Sequence, residues 1–147
     1  MGQIFRLRKQ FTLLCGLLLL GISEVYADIP VVIEIQDVRV QKGALYVAVY
    51  SDETSYKNDE AYSKFKLDPA TSVLSVEIDL PAGDYVVTAF QDTNGNEKLD
   101  TGIFGLPKEP VAKSNWNGTG SPGPWKKLKT AVNDNSRKIT ICLYKLL

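Results

Sequence analysis

A chain of 147 residues with 44% hydrophobic content has the length of one globular domain and enough apolar material for a single core, which excludes a second domain. Its 17 basic residues balance 17 acidic ones. Removing Arg6, Arg8, Lys9 and Glu24 with the first 27 residues leaves 14 against 16, a charge of about −2 that argues against nucleic acid or an anionic membrane surface as partner.

Met1 to Ala27 differs from everything after it. Arg6, Arg8 and Lys9 form a basic start, Phe11 to Ile22 is an apolar run, and Val25-Tyr26-Ala27 suits signal peptidase. These features predict a secretory signal peptide over residues 1–27. A membrane helix needs about 20 apolar residues, and this run has 12. Cleavage discards Cys15 and leaves Cys142 as the single cysteine, so no internal disulfide can form.

The domain at residues 28–147 opens with a half-buried strand, in which Val31, Ile33 and Ile35 alternate with Glu34 and Gln36. Gln41-Lys42-Gly43 supplies a turn. Ala44 to Tyr50 is almost wholly apolar and reads as a central strand covered on both faces. Ser51 to Glu60 is polar and reads as an exposed loop, and Ala61 to Leu67 as a short strand. After Asp68-Pro69, Val73 to Leu80 alternates again, Pro81-Ala82-Gly83-Asp84 makes a tight turn, and Tyr85 to Phe90 returns; together they predict a hairpin over Val73 to Phe90.

Residues 101–127 hold most of the glycine and proline punctuation together with Trp116 and Trp125, and the aromatics point to an ordered connection. Leu128 to Val132 and Ile139 to Tyr144 read as a last hairpin around Asn133-Asp134-Asn135. No amphipathic helix is expected after the signal. About seven strands with turns between them predict an all-β fold, a single seven-stranded antiparallel β-sandwich.

Asp92-Thr93-Asn94-Gly95-Asn96-Glu97-Lys98-Leu99-Asp100 is the one place where hard oxygen ligands recur at regular spacing. Asp92, Asn94, Asn96 and Asp100 match positions one, three, five and nine of a calcium loop, with the Lys98 carbonyl between the later ones. The same residues also serve as turn formers through local hydrogen bonds. Glu97 stands where such loops want glycine, and Ile103 where they want a final carboxylate. Any calcium site is therefore a loose, strand-flanked one, with a dissociation constant on the order of 10⁻⁴ to 10⁻³ M.

Trp116 and Trp125 are candidates for an aromatic platform that stacks on a glycan or peptide; alternatively, each pins its loop against the sheets. Catalysis has thin support, because the chain has no histidine to serve a serine or cysteine nucleophile or to bind zinc. Cys142 reads as a packed thiol.

The run Ala89 to Asp100, continuing into Phe104-Gly105-Leu106-Pro107-Lys108-Glu109-Pro110, resembles the bacterial domain-of-unknown-function family numbered 2141. Gly43 to Tyr50 is similar to its first hairpin, Leu80 to Tyr85 to its proline-glycine turn, and Ser114-Asn115 and Gly123-Pro124 fall where it carries such pairs. The resemblance spans Ile29 to Tyr144 and implies an exported, transthyretin-like or Ig-like sandwich without a settled activity. The expectation is a non-enzymatic binding or accessory module, periplasmic or secreted. It would carry a structural calcium ion, recognise an envelope protein or glycan, and bind no nucleic acid and insert in no membrane once the signal is cleaved. A carboxylate-dependent glycan hydrolase or lyase is the alternative, and a purely structural envelope protein a third.

Overall fold

The computed structural model describes residues 27–147; apart from Ala27, the predicted signal peptide lies outside them. The chain runs β1 (Ile29–Gln36), β2 (Leu45–Tyr50), α1 (Glu53–Asn58), β3 (Ser63–Leu67), β4 (Leu74–Leu80), β5 (Gly83–Gln91), β6 (Val111–Lys113), α2 (Trp125–Leu128), β7 (Thr130–Val132) and β8 (Lys138–Cys142). A short 3₁₀ turn, Ile103–Gly105, interrupts the connection after β5. The fold is all-β. Three strands form one sheet in the order β4-β1-β8, and five form the other, in which β3-β2-β5-β6 is the main path and β7 also pairs with β5.

Period two is what builds both sheets. Val31, Ile33 and Ile35 are fully buried and meet Leu45, Val47 and Val49 of β2, Val87 and Ala89 of β5, and Ile139 and Ile141 of β8 in one core between the sheets. Apolar burial on this scale, ~1.5–3 kcal/mol per large side chain, is what holds a chain without disulfides. A second, smaller cluster of Tyr50, Val86, Val111, Trp116, Trp125 and Leu128 covers one end of the outer face of the five-stranded sheet. The unbroken apolar run of β2 arises from this double coverage.

Several expectations require correction. Val73 to Phe90 is not a hairpin: β4 pairs with β1, Leu80 opposite Ile29, whereas β5 pairs with β2, Val86 opposite Tyr50. Pro81-Ala82 instead carries the chain from one sheet to the other, and the Tyr85 hydroxyl staples the corner by donating to the Pro81 carbonyl at 2.9 Å. Alternation is the same for a hairpin arm and for a strand that changes sheets, so the pattern alone cannot separate them.

Nor do the last two strands pair with each other. β7 joins β5, and β8 runs parallel to β1, Val32 opposite Lys138 through Gln36 opposite Cys142. Only the Asn133–Ser136 bridge closes the turn between them. Ser51 to Glu60 contains α1, started by the Asp52 carboxylate accepting from the Ser55 N–H at 2.9 Å and supported by a Lys57–Glu53 pair. The connection after β5 contains β6, too short at three residues to show a period. Among the described residues the result is eight strands with one parallel pair, where seven antiparallel ones were expected.

Candidate functional site

The acidic loop leaves β5 directly, so it is strand-flanked. Asp92 is buried at 2% exposure, and its carboxylate gathers the loop around itself. Oδ1 accepts from the N–H groups of Gly95 at 2.8 Å and Asn96 at 3.2 Å, and Oδ2 from that of Glu97 at 2.8 Å. The side-chain Oδ1 of Asn94 accepts from the Asn96 N–H at 3.0 Å, and Oδ1 of Asn96 from the Lys98 N–H at 3.0 Å. Both amide NH₂ groups donate to Asp100 Oδ2. Four of the predicted ligand side chains thus converge. Glu97 takes φ 61°, so the sharp turn forms without the expected glycine, at a strain of about 1–2 kcal/mol.

Burial pushes the Asp92 carboxyl up, but the N–H groups of Glu97, Gly95, Asn96 and Asn94 together hold it below its ordinary value. A depressed carboxylate stabilises the fold fully above its unfolded pKa of about 4 and loses that contribution as pH falls through the lower folded value. The expected result is an unfolding midpoint that drops below about pH 4 less steeply in Asp92→Asn than in the parent, read by thermal melts across pH.

Glu109 was not foreseen. It is 2% exposed and closes the loop from behind, Oε1 accepting from the Thr93 N–H at 2.8 Å and Oε2 from the Asp100 N–H at 3.3 Å. Its distance along the chain hides this role, although a glutamate between Lys108 and Pro110 before an apolar Val-Ala pair was a signal that could have found it. The base of the loop is held by Gln91, fully buried. Its side chain accepts from the Arg39 N–H at 2.9 Å and donates to the Arg39 carbonyl at 2.6 Å.

Beside the loop, an open groove of about 760 Å³ crosses the outer face of the five-stranded sheet, within the size range of small-ligand sites. Register explains it. Ala48 lies between Lys64 on β3 and Thr88 on β5, and Thr88 lies opposite Lys113 on β6, so small side chains occupy the middle of one cross-strand row. The neighbouring row is tall, with Tyr46 opposite Phe90 and their rings stacked at 5.0 Å. On the other side stand Tyr50 and Tyr56, edge to face at 5.3 Å. A floor of Ala and Thr between aromatic walls is a slot.

Charged groups border it. Lys66 Nζ lies 2.7 Å from Glu97 Oε1 and 5.3 Å from the Tyr46 ring centroid, and the Tyr46 hydroxyl donates to the same carboxylate at 3.2 Å. Glu97 therefore ties the acidic loop to the groove, and the Lys66 ammonium holds its carboxyl below its ordinary value. The Tyr50 hydroxyl donates to Asp59, and burial together with this bond pushes the phenol up.

Trp116 and Trp125 lie elsewhere, at 9% and 8% exposure. Trp116 packs edge to face on Tyr144 at 5.7 Å and donates to the Thr119 carbonyl at 3.2 Å, and Trp125 packs beneath Tyr56 at 6.0 Å. Trp116 also lines a shallow groove of about 430 Å³ with Asn115, Asn117 and Tyr144. Both pack against their loops, and Tyr46 and Phe90 stack at the slot. Cys142 is a half-buried free thiol. Among the described residues no three His, Cys, Asp or Glu side chains gather as a metal cluster, so a cation at the loop would rely on amide and backbone oxygens beside its carboxylates.

Residues 33–140 match a family described as an uncharacterized protein conserved in bacteria, numbered 2141 among the domains of unknown function. No curated protein and no solved structure matches the chain.

Proposed function

The chain belongs to the bacterial domain-of-unknown-function family numbered 2141, and on that premise we propose that it is an exported, non-enzymatic binding module of the bacterial envelope. Its ligand, an envelope protein or glycan, lies in the slot on the outer face of the five-stranded sheet. The slot itself carries the reading: an outer sheet face normally turns polar side chains to water, whereas this one shows Tyr46 and Phe90 in an open groove. The basic start, apolar run and small-residue end of residues 1–27 support export to the periplasm or beyond. No described helix is long and apolar enough to cross a membrane. Two sheets around one core, joined at a corner stapled by Tyr85, support a transthyretin-like or Ig-like sandwich.

The test is an amide-shift titration of the cleaved protein with solubilised envelope glycans and, separately, envelope proteins. Shifts are expected at Tyr46, Ala48, Thr88 and Phe90; shifts confined to another face would sink the reading.

The hydrolase or lyase alternative would draw on Asp59 and Glu97, the carboxylates that line the slot. A general acid needs a raised pKa. Lys66 lowers that of Glu97, and Asp59 is engaged by Tyr50, which favours binding over turnover. Chromogenic glycosides provide the check, and hydrolysis lost in Glu97→Gln would reverse the preference.

The second element of the proposal is calcium at the acidic loop. Two carboxylates, two amides and the Lys98 carbonyl offer the hard oxygens that calcium takes, with water completing the shell. The ion would replace the NH₂ groups that now satisfy Asp100. At 10 mM calcium and a dissociation constant near 10⁻³ M, mass action raises stability by ~1.4 kcal/mol, a midpoint rise of about 5 °C. The rise should vanish in chelator and in Asp100→Ala; equal midpoints with calcium and with chelator would exclude the ion.

A further inference from the structure

We infer that the slot takes an acidic oligosaccharide, a short run of sugar rings whose carboxylates are received by Lys64, Lys98 and Lys113. The inference rests on the binding-module reading above and adds the ligand's chemistry.

The charge around the slot is opposite in sign to that of residues 28–147. Lys57, Lys64, Lys98 and Lys113 line it against Asp59 and Glu97, with Lys66 beside Glu97 at its border, although residues 28–147 carry more acidic than basic groups. Lys66 is neutralised by Glu97 and Lys57 by Glu53. Lys64, Lys98 and Lys113 have no carboxylate within ion-pair distance among the described residues. Three uncompensated cations on one concave face form a receptor for anions.

Their placement is specific. Lys64 and Lys113 end the same cross-strand row, with Ala48 and Thr88 between them. Three strand spacings set the two backbones about 14 Å apart, so the ligand is elongated and anionic at more than one point. Lys113 is held in place, its Nζ donating to the Tyr56 hydroxyl at 2.6 Å and lying 5.1 Å from that ring's centroid.

The row between them selects a saccharide over a peptide. β2 and β5 are hydrogen-bonded on both sides, so an extended peptide finds no free ladder to join there. What the slot offers is side chains: the hydroxyls of Tyr50, Tyr56 and Thr88, and aromatic walls against which the C–H faces of a sugar ring can pack. A bare polyanion would leave those walls unused, and a neutral glycan would leave the lysines unpaired.

The experiment titrates the cleaved protein with oligogalacturonate, alginate and hyaluronan tetrasaccharides, with neutral cellotetraose and with tetraglutamate, following heat and amide shifts. At least one acidic saccharide should bind with shifts centred on Ala48 and Thr88. Its affinity should weaken with salt and fall roughly tenfold in Lys64→Gln and in Lys113→Gln. Lys64 is exposed, so its variant keeps the fold should Lys113→Gln disturb Tyr56. Equal or tighter binding of cellotetraose or tetraglutamate in the slot overturns the acidic-saccharide inference while leaving the binding module standing. If no acidic saccharide shifts Ala48 or Thr88, the inference is likewise overturned, and if envelope fractions fail to shift them too, the binding-module reading falls with it.

Discussion

Gly43→Ala should destabilise the fold by about 3 kcal/mol or more, the sum of a left-handed penalty and an overpacking penalty, and lower the melting midpoint by on the order of 10 °C. Gly43 takes φ 96°, and a Cβ built there falls 1.8 Å from the Asp92 carbonyl oxygen. Neither side can yield cheaply. The Asp92 N–H donates to the Ala44 carbonyl at 2.9 Å, and buried Gln91 clamps the same turn, donating to the Gly43 carbonyl at 3.3 Å and holding both backbone groups of Arg39. The turn before β2 and the start of the acidic loop are thus one packed unit, and a methyl group between them must push them apart. Gly95→Ala is the control, since its φ is 76° but nothing lies within 4 Å of its Cβ. It should cost only the backbone term, about 1 kcal/mol. Urea unfolding of the two variants reads the difference, and equal losses would mean that the contact between the turn and the loop does not constrain the fold.

The same turn shows which features can be read from the chain and which cannot. Gln41-Lys42-Gly43 announces a reversal because glycine supplies a positive φ, and Val31, Ile33 and Ile35 announce a buried face because period two is a local property. Which strand lies opposite is not local. Val73 to Leu80 has the same pattern whether it folds back on Tyr85 to Phe90 or crosses to β1, and the parallel partner of β8 stands about a hundred residues away. The slot was hidden for the same reason: Ala48, Thr88 and Lys113 become one row only through register. Its trace in the sequence was the failure of alternation at Leu45 to Tyr50, which marked a strand with no ordinary solvent face. The tryptophans drew attention because they are large, yet their bulk is what buries them, and the shorter row beside Tyr46 and Phe90 is what leaves space. Convergence at the acidic loop was legible from spacing alone, because Asp92, Asn94, Asn96 and Asp100 are bound by contacts only a few residues apart.

Glu109→Ala should cost about 1–3 kcal/mol, because it strips the acceptor from the N–H groups of exposed Thr93 and half-buried Asp100, and polar groups that lose a partner at a part-buried site cost roughly that much. Glu109→Gln preserves shape and one acceptor oxygen but turns an NH₂ toward the other N–H, so its loss should fall between the parent and the alanine variant. The loss should be uneven along the chain. Asp92 keeps its own hold on Gly95, Asn96 and Glu97, so hydrogen exchange should accelerate first at Thr93 and Asp100 and last at the core amides of β5. Because Glu97 of that loop also fixes Lys66 and Tyr46 at the slot, loosening the far end should weaken ligand binding without touching a single lining residue. A variant in which Thr93 and Asp100 exchange as slowly as in the parent would show that Glu109 is not the latch that joins the loop to the sheet. Protection lost uniformly across β5 would instead make it part of the global core.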